Sequence, residues 1–289
     1  MRYQKIPIGT EAKQVVSQVQ TYAPVPYDNQ AETYDQRVGL RERDCRQIAR
    51  KVLSLAEVTP GDVVVEIGAG TGQIGQWFAY EGHRYIGFDL SQNMLDIFQS
   101  RMKPQDSSLL CRADGNCPWP IADAAAHVIF SSRAIHLLVL DHVVHEVFRI
   151  AKADHAILVI GRVQRQSNSV KARMKQALRQ QLYDHGVPGH DGEQNQRRLI
   201  QVCCEHDAQM LDPLVVSRWS VTHTPWQSIN NWQMKQGLGG INVSSSQKQV
   251  ILKELKRWAD QTFNGLHQPV ESEEAYVLQG VRLYPSRNS

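Results

Sequence analysis

Apolar residues recur at helical spacing from about Leu40 to Glu57, with Cys45, Ile48, Ala49, Val52, Leu53 and Ala56 on one face. Thr59-Pro60-Gly61-Asp62 ends that helix and turns the chain. Short continuous apolar runs then alternate with helical ones. Strands are predicted at Val63–Ile67, Tyr85–Phe88, Leu109–Arg112, Val128–Ser131 and Ala156–Gly161. Helices are predicted between them at Ile74–Glu81, Asn93–Met102 (with Ser91 as its cap) and Asp141–Ala151. Apolar runs of this kind belong to a mostly parallel sheet covered on both faces.

After Gly161 the pattern changes. Residues 164–212 are polar, Gln-rich and helical in character, broken by the loop His185-Gly-Val-Pro-Gly-His-Asp-Gly. A strand returns at Leu214–Thr222, helices follow near Trp226–Gln236 and Ser246–Phe263, and a last strand covers about Ala275–Leu283. The expected architecture is a doubly wound, seven-stranded, mostly parallel α/β sheet. Residues 1–57 would form a helical lid, 58–163 and 213–289 the α/β core, and 164–212 an inserted helical cap over the substrate.

Composition changes this picture little. The 289 residues are 42% apolar and 21% charged, with a formal net charge of +3. No apolar run approaches the roughly 18 residues of a bilayer span. The opening MRYQKIPIGTEAKQ has no apolar signal core, so a cytoplasmic location is expected. The basic cluster Arg162, Arg165, Lys171, Arg173, Lys175 and Arg179 reads as a solvated helix face, which weighs against nucleic acid as a partner. Cys45, Cys111, Cys117, Cys203 and Cys204 form no CxxC pair and are expected to be reduced thiols in packed helices. His185, His190 and Asp191 sit in a Gly/Pro loop that argues against a metal site, and no metal is expected.

The chemistry concentrates in Val63-Val-Val-Glu66-Ile-Gly68-Ala-Gly70-Thr-Gly72. Glycines directly after a first strand let backbone approach a ligand, and the helix that follows offers unpaired N–H groups. Gly70-x-Gly72-x-x-Gly75 also satisfies GxGxxG, so a dinucleotide reading competes. Two features favour another cofactor. An acid at Glu66 would oppose a pyrophosphate and suit a cationic ligand. The glycine register that begins as the strand ends is Gly68-x-Gly70-x-Gly72, two residues ahead of the dinucleotide one. Asp89, ending the second strand, can accept from both hydroxyls of a ribose in either case.

The ordered segments Tyr27-Asp-x-x-Ala31-x-x-Tyr34-Asp35, VVVEIGAGTG, YIGFDLSQNML, RADGNCPWP and HVIFSSRAIHLL, within residues 27–161, make the chain resemble the class I S-adenosylmethionine-dependent methyltransferases. The likeness is nearest to the small-molecule group that includes ubiquinone/menaquinone-biosynthesis enzymes. The resemblance implies S-adenosylmethionine as cofactor and a role for each matching position. Gly68, Ala69, Gly70 and Gly72 would pass under its methionine part, and Glu66 would organise the turn and the amino group. Asp89 would hold the ribose, with Leu90 and Met94 against the adenine. Asp114 would accept from the adenine amino group and Gly115 would contact the ring. Ser131 would line the methionine end, with Tyr27 and Tyr34 covering the cofactor from the lid. The chain departs from the family at Ala126-His127, where a small acid usually stands, and at Ala153-Asp154-His155, which replaces a Pro-Gly-Gly turn.

In-line attack on a sulfonium methyl needs alignment and, for a hydroxyl or protonated amine, a base. His136, following the fourth strand at the mouth of the sheet, is the expected base, with His223 a weaker alternative. The expected activity is methyl transfer to O, N or C of a small molecule, in secondary metabolism. The rivals are an NAD(P)-dependent oxidoreductase and a non-catalytic S-adenosylmethionine-binding protein. Oligomeric state has no sequence signal.

Overall fold

A computed structural model describes residues 31–103, 107–153, 156–187, 192–235 and 237–284. The chain forms α1 (Ala31–Val38), α2 (Glu42–Ala56), β1 (Val63–Ile67), α3 (Gln76–Tyr80), β2 (Arg84–Asp89), α4 (Gln92–Arg101), β3 (Ser108–Arg112) and β4 (Val128–Ser132). A 3-10 turn (Ile135–Leu137), α5 (Leu140–Ile150), β5 (Ala156–Arg165), α6 (Val170–Asp184) and α7 (Gly192–Glu205) follow. The order closes with β6 (Gln209–Met210), β7 (Leu214–His223), α8 (Pro225–Met234), α9 (Ser245–Thr262) and β8 (Val270–Leu283).

The strand order is β3-β2-β1-β4-β5-β8-β6, with β7 beside β8. The pairs β1–β2, β1–β4, β2–β3 and β4–β5 are all parallel. Reversal of order about β1 is the doubly wound α/β fold, and it opens a crevice at the carboxyl ends of the strands. Short β6 pairs antiparallel with β8 (Gln209↔Arg282) and makes the sheet eight-stranded instead of seven. Both residues of β6 are exposed, so it carries no apolar run to reveal it in sequence.

Contacts divide the described chain into two bodies. The first runs to Arg162 and includes residues 192–216 and the chain from Leu278. Its core packs Val65, Ile67, Ile129, Leu158 and Ile160 of the sheet against Val143, Val147 and Ile150 of α5. Helix α7 joins this core through Leu199, Ile200 and Cys203, lying against α5 and the 3-10 turn. The division therefore differs from the expected boundary at 164–212. The polar, Gln-rich character of α7 describes its outer face, while three residues at helical spacing decide where it docks.

The second body comprises the described residues of 163–191 and 217–277. Val170, Met174, Leu178 and Leu182 of α6 pack there with Ile229 of α8 and Ile251, Leu255 and Ala259 of α9. Capping fixes its helix starts: Ser169 accepts from Ala172 N, and Thr224/Gln227 and Ser244/Gln247 form full capping boxes. The cysteines are free thiols. Cys45, Cys203 and Cys204 lie in helices as expected, whereas Cys111 is on β3 and Cys117 in a loop. Among the described residues, no helix is long and apolar enough to cross a membrane.

Candidate functional site

Parallel register brings the sequence motifs to one edge of the sheet. Ile67 lies opposite Phe88 on one side and Ser131 on the other, and Asp89 lies opposite Arg112. The residues just beyond these pairs are therefore neighbours: the glycine turn after β1, Asp89 closing β2, Ala113-Asp114 after β3 and Ser132-Arg133 at the end of β4.

The turn from Gly68 to Gly72 is built on left-handed backbone at positions no ordinary side chain fits. Gly68 has φ +69, and a Cβ there would overlap the methyl of Ala134. Gly72 has φ +73, and a Cβ there would enter the Phe98 ring. The amides of Gly68 and Ala69 both donate to Phe88 O at 3.0 Å, which holds the turn against β2. Gly70 N donates to Asp89 Oδ2 at 2.9 Å, and Ser91 N donates to Asp89 Oδ1 at 2.9 Å. Asp89 thus bridges the glycine turn and the start of α4. Ser91, not Asp89, caps that helix, accepting from Met94 N.

Glu66 sits beneath the turn and is buried. Its Oε2 accepts from Tyr85 OH at 2.5 Å, and the same oxygen faces Gly75, where a Cβ would collide with it and with the Tyr85 hydroxyl. Burial pushes the carboxyl up to about 8, against the lowering effect of the Tyr85 hydrogen bond. Glu66 is therefore largely protonated at neutral pH, which corrects the charge argument made from sequence. A neutral carboxyl repels no pyrophosphate, so the glycine register carries that distinction instead.

Ser131 is fully buried, and its Oγ donates to Ile67 O at 2.9 Å, bracing β1 against β4 directly below Gly68. Met94 is buried and Leu90 half-buried. Asp114 shapes its own loop, Oδ1 accepting from Asn116 N at 2.9 Å. Gly115 is buried, and a Cβ on it would press on the Leu138 side chain. The loop from 112 to 121 is clamped by two residues of α5 that sequence reasoning missed. Trp119 N donates to Glu146 Oε2 at 2.6 Å, while Arg149 reaches Glu146, Ile121 O and Trp119 O. The Arg149 guanidinium, with the Trp119 N–H, holds the Glu146 carboxyl below its ordinary value despite burial.

The lid residue Tyr34 is half-buried, with the Arg133 guanidinium 5.3 Å from its ring centre. Tyr27 lies outside the described residues, as do Asp154, His155, His190 and Asp191. Beside Tyr34, Asp35 accepts from Thr71 Oγ1 at 2.6 Å and pairs with Arg101 at 2.5 Å, fastening α1 to the glycine turn and to the end of α4. Arg133 follows β4 with φ +64, an uncommon conformation for a residue with a side chain. Asp35 and Arg133 stand inside the segments that carry the family resemblance, but nothing in the spacing announced the pairing of Asp35 with Arg101.

His136 is exposed on the 3-10 turn after β4. His223 belongs to the second body, 3.0 Å from Ser228 Oγ. His127, one of the departures from the family pattern, accepts from Val63 N through Nδ1 at 3.0 Å and faces Asp62 through Nε2 at 2.9 Å. It ties the amino-terminal ends of the strands, opposite the glycine turn.

Comparison with known proteins agrees with this geometry. Residues 64–154 match a family model described as a methyltransferase domain. Ribosomal RNA small subunit methyltransferase A of Thermotoga maritima is 41% identical over 56 residues, 19% of this chain and 20% of that protein. Malonyl-[acyl-carrier protein] O-methyltransferase of Yersinia pestis is 28% identical over 110 residues, 38% of each chain. The chain spans only about a fifth of the length of the first of these curated relatives. Among solved structures, a Bacillus halodurans C-125 protein provisionally assigned as a methyltransferase superposes with a TM-score of 0.52 at 15% identity, over 81% of this chain and 97% of its own. The YcgJ protein of Bacillus subtilis gives 0.50 at 19% identity over the same shares. Residues 64–154 thus resemble a methyltransferase domain, and the chain has the doubly wound fold shared with these solved structures.

Proposed function

We propose that the chain binds S-adenosylmethionine at the glycine turn and moves its methyl group to a small-molecule acceptor. The observation that carries this reading is the tether of Gly70 N to Asp89 Oδ2. It holds the Asp89 carboxyl at the end of β2 against the glycine turn. The donor set fits the cofactor: Asp89 for the ribose hydroxyls, Leu90 and Met94 as apolar contacts for the adenine, and Asp114 and Gly115 for its edge. Ser131 and Glu66 support the methionine end from below. Tyr34 serves as cover, and Arg133 adds a cation that complements a carboxylate.

When bound, S-adenosylmethionine supplies a methyl group activated by its sulfonium. The protein aligns the acceptor with that methyl and excludes water. Aromatic faces such as Tyr34 favour a cation near them. His136 acts as base for a protic acceptor, its ring exposed on the 3-10 turn that follows β4. The proposed setting is cytoplasmic, in keeping with five free thiols. The small-molecule class is favoured over RNA because the ribosomal relatives match only 56 to 63 residues.

The test is incubation with methyl-labelled S-adenosylmethionine and a fractionated small-molecule extract. Label should enter a small-molecule fraction, and His136→Ala should reduce turnover far more than cofactor affinity. Label recovered only in RNA, or cofactor binding with no transfer to any fraction, would contradict the reading.

A further inference from the structure

The second body carries an open pocket of about 280 Å³ whose lining is strongly cationic. Arg165 reaches it from the end of β5, Lys171, Lys175 and Arg179 from α6, and Lys235 from the end of α8. Among the described residues no Asp or Glu lines it, and five cationic side chains face it. Lys171, Lys175 and Arg179 recur every four residues, which turns them toward one side of α6. The basic cluster read from sequence as a solvated helix face is thus partly gathered around a concavity.

Glu274 stands next to this wall, accepting from Arg165 Nε at 2.9 Å and from Lys171 Nζ at 3.0 Å. It orients two of the cations. Leu178, Leu182, Trp232 and Ile241 give it an apolar side, with Asn231 a polar neighbour. His223 and Ser228 close it with a hydrogen-bonded pair. Burial and the nearby Lys171 and Arg165 hold His223 down to about 4, against Glu274, so its ring is neutral at pH 7. A group of cations beside an apolar wall suits an anion with a carbon body. Two guanidiniums among them favour the several oxygens of a phosphoryl group over a single carboxylate. Convergence on a small pocket, instead of along a surface, favours a small ligand over a nucleic-acid backbone.

We propose that this pocket binds a small phosphate- or diphosphate-bearing molecule, with its phosphoryl oxygens on the five cations and its carbon body against Trp232 and Ile241. The proposal stands apart from the methyl-transfer reading, because binding here is measured with no S-adenosylmethionine present. The full chain is titrated calorimetrically with inorganic pyrophosphate, hexyl phosphate, hexanoate and a short oligouridylate. Saturable binding of pyrophosphate is expected, with hexyl phosphate at least tenfold tighter than hexanoate. The Lys175→Ala/Arg179→Ala variant, checked for folding by circular dichroism, should weaken both phosphate ligands at least tenfold. In the unmodified chain, pyrophosphate should move the His223 ring resonances, a readout that needs no variant to fold. Absence of saturable phosphate binding, equal affinity for hexanoate, unmoved His223 resonances, or oligouridylate that binds more tightly and resists displacement by pyrophosphate would each overturn the proposal.

Discussion

Asp89 holds the glycine turn before any ligand arrives, through one hydrogen bond to Gly70 N and one to Ser91 N. Asp89→Ala should therefore weaken S-adenosylmethionine binding twice over, by removing the ribose acceptor and by loosening the turn. A charge-assisted hydrogen bond contributes roughly 1.5–3 kcal/mol, so an affinity loss of tenfold or more is expected by titration. At Gly68 the constraint is steric: left-handed backbone and the Ala134 methyl both oppose a side chain. Gly68→Ala should cost about 2 kcal/mol or more in urea unfolding, and an unchanged midpoint would show that the turn yields easily. Glu66 gives a pH prediction. Its folded-state value of about 8 lies above the ordinary 4.5, so the proton is favoured by the folded chain. The stability it contributes is present below about pH 4.5 and is lost as pH rises through about 8, at up to ~1.4 kcal/mol per pH unit. Glu66→Gln should flatten that decline in urea titrations at successive pH values. An identical decline in both proteins would place the ionisation elsewhere.

Between elements, the contacts that matter most at the site are the ones with least signal in the sequence. Asp35 on α1 bonds Thr71 in the glycine turn and Arg101 at the end of α4, so one carboxylate joins three segments. Arg101→Ala should change stability by only about 1 kcal/mol, since both partners are about a quarter exposed. It should nevertheless lower cofactor affinity by freeing α1, which equilibrium titration beside a melting curve separates. The strands β1 to β5 were legible because each is a continuous apolar run bounded by turn residues, and Val63–Ile67 agrees at both ends. Helix α4 was legible from Ser91. By contrast, β6 has only exposed residues, and β8 begins at Val270 in a polar stretch, before the apolar run that marks its second half. Glu66 was visible as an acid in an apolar strand, but its partner Tyr85 lies nineteen residues away, and the burial that raises its carboxyl against that hydrogen bond is a matter of packing, not spacing.

At the level of the whole molecule, the chemistry and the family likeness are concentrated in residues 64–154, which follow the regular βα alternation. The remainder is where sequence patterns and contacts part company. Helix α7 joins the first body through three buried residues, and residues 217–277 combine with those before it in the chain into a second. That division follows from which apolar faces meet, information that a single helix period does not contain. The central claim is that the glycine turn and Asp89 form a site for S-adenosylmethionine. Calorimetric titration of the chain and of Asp89→Ala with S-adenosylmethionine, S-adenosylhomocysteine, NADH and NADPH tests it most directly. The account predicts micromolar binding of the first two alone, weakened in Asp89→Ala. Binding of a nicotinamide cofactor in their place, or binding of S-adenosylmethionine indifferent to Asp89, would contradict it.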